Sequence, residues 1–249
     1  MTRFRATLEY DGTEFEGFQR QADGHRTVQG EVEAALRRIG WQGSSILAAG
    51  RTDTGVHATG QVIAFDHDWR HDATALARAM NVHLPADVSV RAVAVAVESF
   101  HPRYRALARR YRYTIYQTPH RQALRDRTAW HVADALDLDA LRAASASLIG
   151  RKDFATFGTD PDHGDNTVRN VQVAEWTQAN TADVLFFDIQ ADAFLFRMVR
   201  SLVGALKRVG DGASSPDVFV ALLEARDRAL CPPVAPARGL CLIDVVYPP

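Results

Sequence analysis

The sequence predicts an α+β fold built from two ferredoxin-like, RRM-like halves, and three observations carry that expectation. The order strand-helix-strand-strand-helix-strand can be read from hydrophobic periodicity, and it can be read twice. Helical stretches in both halves close on glycine, at Gly40, Gly150 and Gly210. With 249 residues, 47% of them hydrophobic, the chain can bury a large core in one domain or two.

In the first half, residues 3–11 alternate Phe4, Ala6, Leu8 and Tyr10 with polar partners, the signature of a strand. Residues 27–40 put Val28, Val32, Ala35, Leu36 and Ile39 on one helical face, with Thr27 as N-cap and Gly40 as C-cap. Short apolar runs at 45–49 and 61–66 flank the glycine-rich "GRTDTGVHATG" of residues 50–60. A helix over 72–84 and a strand over 88–97 complete this half. In the second half, strand 109–117 precedes helix 136–150. Two strands follow as a hairpin through "ANTA" at 179–182, then a helix over 193–210. A further helix starts at Ser215-Pro216, and a last strand covers 239–248. The halves are expected as 1–103 and 104–249. Two four-stranded sheets, or one continuous antiparallel sheet with helices on one side, would follow.

Composition excludes some classes. No stretch approaches the roughly 18 to 20 apolar residues of a membrane span, and the N-terminus lacks the apolar core of a secretion signal. A cytoplasmic location is the expectation, with Cys231 and Cys241 reduced. The net charge of −1 hides an asymmetry. Residues 101–127 hold eight arginines against Asp126 alone, whereas 153–192 hold eight acids against Arg169 alone. Such a concentrated basic block fits a localised polyanion site.

Residues 50–60 are long for a strand connection and carry one carboxylate, Asp53, among Gly50, Gly55 and Gly60. Glycines there permit unusual backbone angles and close approach of a partner. In "YRALARRYRYTIY" the arginines alternate with Tyr104, Tyr111, Tyr113 and Tyr116. Guanidinium groups neutralise phosphates and aromatic rings stack on bases, so Arg109 and Arg110 are candidate phosphate contacts. Strand alternation sets Tyr111, Tyr113 and Ile115 on one face, and Tyr113 is assigned to the core. On 193–210, Phe194, Met198, Leu202, Ala205, Leu206 and Val209 form a stripe, with Arg200 at its border. An arginine there can snorkel or reach a carboxylate and keep it ionised. His67 and His71 in "DHDWRHD" have a metal-like spacing but fall at a strand end and helix start, where such residues serve as caps. No metal site is assigned. An RNA-binding module without catalysis would explain the Arg and Tyr block but not the glycine loop. A metal-dependent nuclease would need more acids than the one between Gly50 and Phe65.

"GRTDTGVHATGQV" resembles the signature loop of the tRNA pseudouridine synthase A family. "YDGTEFEGFQRQ", "TVQGEVEAAL", "ARRYRYTIY", "DFATF", "TVRNV", "FRMVRSLVG" and "GLCLIDVVYP" resemble the family's further blocks in the same order, over about residues 4–248. The resemblance implies that Asp53 is the catalytic nucleophile and Tyr111 the residue that stacks on the target base. It implies that Arg51 helps to flip the nucleotide and that Arg200 pairs with Asp53. It further implies a catalytic loop in the cleft between the halves, and isomerisation of uridine at positions 38, 39 and 40 of the tRNA anticodon stem-loop. A homodimer without cofactor or metal is the expected enzyme. His57 is expected to be a structural tie of the loop.

Overall fold

The computed structural model describes residues 1–22, 24–161, 164 and 166–248. Asp162 and Asp165 of the acidic stretch lie outside these residues. The fold is mixed α+β, with ten strands and five α-helices among the described residues. Residue contacts divide the chain into two compact units, Met1–Leu107 with Cys241–Pro249, and Ala108–Leu240.

In the first unit, β1 (Thr2–Tyr10) lies between β3 (His57–His67) and β4 (Val88–Val95), antiparallel to both. Phe4, Ala6, Leu8 and Tyr10 are buried, as the alternation of the sequence requires. α1 (Val28–Arg38) buries Val28, Val32, Ala35 and Leu36, and the Thr27 hydroxyl caps it by accepting from Gly30 N. Gly40, just beyond, takes the left-handed backbone (φ +91°) that only glycine adopts without strain. α2 (Ala73–His83) buries Leu76 and Met80 and is capped by Asp72.

β3 begins at His57, four residues earlier than the apolar pattern suggests. Its two ends have different neighbours. Leu47 and Ala48 of β2 (Leu47–Ala48) pair with Ala64 and Ile63, whereas Cys241 and Leu242 of β10 (Leu240–Val246) run parallel to His57 and Ala58. The last strand, expected with the second half, is therefore bonded to the first, and the pairing is parallel where an antiparallel sheet was expected. A Cβ on Gly60 would sit 2.3 Å from the Ile243 carbonyl oxygen, so this glycine makes room for β10. The partner it lets in is another strand of the same chain.

The second unit orders β5 (Ala108–Gln117), β9 (Val184–Ala191), β8 (Val168–Gln178) and β7 (Gly150–Asp153) in one antiparallel run. β6 (Trp130–Val132) lies parallel to β5, a second departure from a purely antiparallel sheet. α3 (Leu138–Ala146) packs against β8, α4 (Met198–Gly210) and α5 (Pro216–Ala225). Ser215 caps α5 with proline at its first turn, as read from the sequence. α4 buries ten of its thirteen residues, far more than a single stripe. It also starts at Met198 rather than at 193. Phe196 N donates to the Thr159 carbonyl at 2.8 Å, which draws 193–196 out of the helix, and Arg197 then turns through a left-handed backbone (φ 60°).

Candidate active site

The connection from β2 to β3 carries Asp53 and is fastened on both sides of it. Ahead of Asp53, the buried hydroxyls of Thr52 and Tyr10 share a hydrogen bond of 2.8 Å. The Thr52 carbonyl accepts from Phe18 N at 3.0 Å. Behind Asp53, Val56 N donates to the Asp53 carbonyl at 3.1 Å and Gly55 N to the Phe15 carbonyl at 3.3 Å. Gly55 itself takes φ +77°. His57 Nδ1 then accepts from Gly12 N at 3.0 Å, with Asp11 Oδ1 3.2 Å away.

Apart from the Tyr10 hydroxyl and the bond from Val56 N to Asp53, these ties come from residues 11–18, the segment that leaves β1. Asp11 caps its 3-10 turn at Gly12–Glu14, and Phe15 and Phe18 are buried below the loop. Close approach explains two of its glycines. A Cβ on Gly12 would fall 2.0 Å from the Val56 carbonyl oxygen, and Gly17 (φ +95°) faces the Thr52 carbonyl at 3.1 Å. The outcome is a half-buried Asp53 on a backbone with little freedom, beside an exposed Arg51 that holds no hydrogen bond or ion pair with the described residues. His57 Nδ1 thus bonds to residues 11 and 12 rather than within the loop itself. Periodicity gave no sign that "YDGTEFEGF" clamps this loop; the available signal was its closely spaced glycines and aromatics.

In the second unit, Tyr111 is buried and meets the edge of Phe194 at 5.1 Å between ring centroids. Tyr113 is wholly buried, as expected, and its hydroxyl donates to the Pro236 carbonyl at 2.7 Å. Burial pushes the Tyr113 phenol far above its usual range, against the opposing charges of Arg200 and Arg238. Arg200, half-buried in the first turn of α4, donates from Nε to the Ala235 carbonyl at 2.9 Å and accepts at its own carbonyl from Ala235 N at 3.0 Å. Gly204 lets that segment in, since a Cβ there would lie 2.2 Å from the Pro233 carbonyl oxygen.

The arginines of β5 are less available than their number suggests. Arg112 grips Asp188 on β9 through two hydrogen bonds of 2.8 Å, and Arg110 Nη2 adds a third at 3.1 Å. Burial alone would raise the Asp188 carboxyl. The Arg112 hydrogen bonds and the charges of Arg112 and Arg110 outweigh it and hold the group below the usual carboxylate range. Arg109 Nη1 donates to the Asp192 carbonyl at 2.8 Å.

Two acids of "DHDWRHD" have structural partners: Asp66 binds Arg3 through two oxygens, at 2.5 and 2.8 Å, and Asp72 caps α2. His67 is buried rather than a solvated cap, and burial pushes its imidazole below the usual value. Among the described residues no three His, Cys, Asp or Glu side chains gather as metal ligands. Neither Cys231 nor Cys241 forms a disulfide, and no helix is long and apolar enough to cross a membrane.

A family model described as tRNA pseudouridine synthase matches residues 6–105 and 144–248. The chain belongs to that family. It is 43% identical over 248 residues to the tRNA pseudouridine synthase A of Caulobacter vibrioides, a match covering 99% of each chain. The enzyme of that name from Aeromonas hydrophila is 42% identical over 99% of this chain and 90% of its own. That from Cereibacter sphaeroides is 41% identical over all of this chain and 98% of its own. A tRNA pseudouridine synthase is an isomerase acting on tRNA.

Proposed function

We propose that this synthase isomerises uridines 38, 39 and 40 of the tRNA anticodon stem-loop, with Asp53 as nucleophile on a uridine turned out of its stack. One observation carries the reading: Asp53 is the single carboxylate between Gly50 and Phe65, on a loop whose backbone is bonded immediately before and after it. Preorganisation of that kind is what a nucleophile aimed at a sugar and base requires. In the reaction the bond from C1′ to N1 breaks, the base turns, and C1′ bonds to C5. The proton lost from C5 is balanced by one gained at N1, so atoms are conserved and no water or electron is consumed.

The remaining roles follow from the same reading. Each half of the chain is read as a ferredoxin-like unit, with the Asp53 loop as the catalytic loop. Tyr111 stacks on the flipped base, and Arg51, exposed beside Asp53, steadies the displaced nucleotide. Arg200 keeps Asp53 ionised, and Arg109 and Arg110 meet phosphates. Arg110 already shares Asp188, so its loss costs less binding than that of an uncommitted arginine. The enzyme works as a homodimer in the cytoplasm.

The decisive experiment incubates tRNA with wild type and Asp53→Asn and maps pseudouridine by carbodiimide-stop sequencing. The substitution is expected to lower turnover by at least about 10³-fold while tRNA binding persists. A variant that still turns over at the wild-type rate removes Asp53 from the chemistry. Arg200→Met is the companion test. Turnover is expected to fall with tRNA binding retained. Full turnover of Arg200→Met at neutral pH refutes that role.

A further inference from the structure

Of the four tyrosines interleaved with arginines, Tyr111, Tyr113 and Tyr116 are buried and Tyr104 is 76% exposed. Tyr104 stands on the chain that leaves β4, on a turn the first unit holds from several directions. Arg3 Nη1 donates to the Phe100 carbonyl at 2.9 Å. The buried Phe100 ring packs against Tyr247 at 5.3 Å, and the Tyr247 hydroxyl donates to the Pro102 carbonyl at 2.8 Å. The Arg5 guanidinium lies over both rings, 5.9 and 5.7 Å from their centroids. Within the turn, His101 Nδ1 accepts from Arg103 N at 3.2 Å and its carbonyl from Arg105 N at 3.0 Å.

On this mount the Tyr104 ring rests on the His101 imidazole, centroids 4.3 Å apart and planes 36° from parallel. Burial, with Arg3 and Arg103 nearby, holds that imidazole below its usual value, so at neutral pH the ring below Tyr104 is uncharged. The Arg103 guanidinium lies 5.8 Å from the Tyr104 centroid. Arg105 is exposed and has no side-chain hydrogen bond or ion pair with the described residues. From residue 99 to 125 the chain contains no acid. A fixed, exposed aromatic ring among cations combines the two elements of a single-stranded RNA contact, a stacking platform and phosphate neutralisation. A protein partner would have to bring acids to match the arginines, whereas RNA supplies both base and charge.

We propose that Tyr104 stacks on an unpaired base of the tRNA other than the reacting uridine, and that Arg105 holds a neighbouring phosphate. The proposal rests on tRNA being the substrate, and is independent of which residue is the nucleophile. It is tested by tRNA affinity over a salt series and by steady-state kinetics for Tyr104→Ala, Tyr104→Phe and Arg105→Ala, with sedimentation of each protein. Tyr104→Ala is expected to weaken binding and raise KM about tenfold, with the loss appearing in KM rather than kcat. Tyr104→Phe keeps the ring and stays within about twofold. Arg105→Ala lowers the slope of log affinity against log salt by about one. Unchanged affinity in Tyr104→Ala overturns the proposal, and so does an equal loss in Tyr104→Phe, which would assign the contact to the hydroxyl. A change of oligomeric state in Tyr104→Ala with tRNA affinity retained would mark the patch as a protein contact, and also overturns it. Because binding is the readout, an active Asp53→Asn enzyme would leave this result intact.

Discussion

The Asp53 loop and strand β5 are both rich in polar residues, but their polar groups have opposite fates. In the loop, backbone and hydroxyl groups are spent on holding the chain in place, while the carboxylate side chain stays half-buried beside an exposed Arg51. In β5, the charged side chains of Arg110 and Arg112 are spent on Asp188 of the next strand, and the alternating Tyr111 and Tyr113 are buried. Counting charges in a sequence thus overstates the cations ready for RNA. A basic block is partly a device for building a sheet around a buried acid.

Removing that acid is the strongest structural test of the contrast. Asp188 is only 5% exposed, and without it two guanidinium groups face each other across a half-buried surface. Asp188→Asn is expected to cost about 3 kcal/mol in denaturant unfolding, at the lower end for a broken buried pair because both arginines retain solvent. The pH dependence has a fixed sign. The folded carboxyl lies below its unfolded value, so its contribution is complete above the unfolded pKa of about 4 and disappears as pH falls through the folded pKa. The gap between wild type and Asp188→Asn should therefore close below about pH 4. A gap that persists at acid pH would mean the carboxylate stabilises through packing alone.

The same contrast explains what could be read from the sequence. β1, α1, α2 and the β8–β9 hairpin were legible because their apolar periods and capping residues are local. β6 and β7 were not, since segments of three and four residues carry no period and exist only through their partners. The start of α4 was misplaced because Thr159, some forty residues away in sequence, decides the conformation of Phe196. At the site, the loop and its acid stood out at once. The clamp from residues 11–18 did not, because its bonds are made by backbone groups that no side-chain pattern announces.

Gly12 tests that clamp. Any Cβ at this position meets backbone, the Val56 carbonyl oxygen at 2.0 Å, so no side-chain rotation can relieve it. Gly12→Ala is expected to destabilise the protein by about 2 kcal/mol, as overpacking does. Because relief requires Val56 to move, and Val56 N is bonded to the Asp53 carbonyl, turnover should fall well beyond the loss of folded protein. Gly40→Ala is the control, since nothing lies near a Cβ there and its strain is local to the end of α1. A Gly12→Ala enzyme with normal turnover per folded molecule would separate the clamp from catalysis.

The smallest effect isolates a side-chain bond beside the clamp. Tyr10 and Thr52 are both buried and share their hydroxyls at 2.8 Å, so removing either leaves a polar group behind. Tyr10→Phe and Thr52→Val should each cost about 1 kcal/mol, and the double variant less than the sum, because the two hydroxyls are in direct contact. If the bond matters only to stability, kcat per folded molecule will be the same in all four proteins. If it positions Asp53, kcat will fall in both single variants and will not recover in the double variant, even where stability does. That split between stability and kcat distinguishes a hydroxyl pair that fills the core from one that holds the neighbouring carboxylate in line.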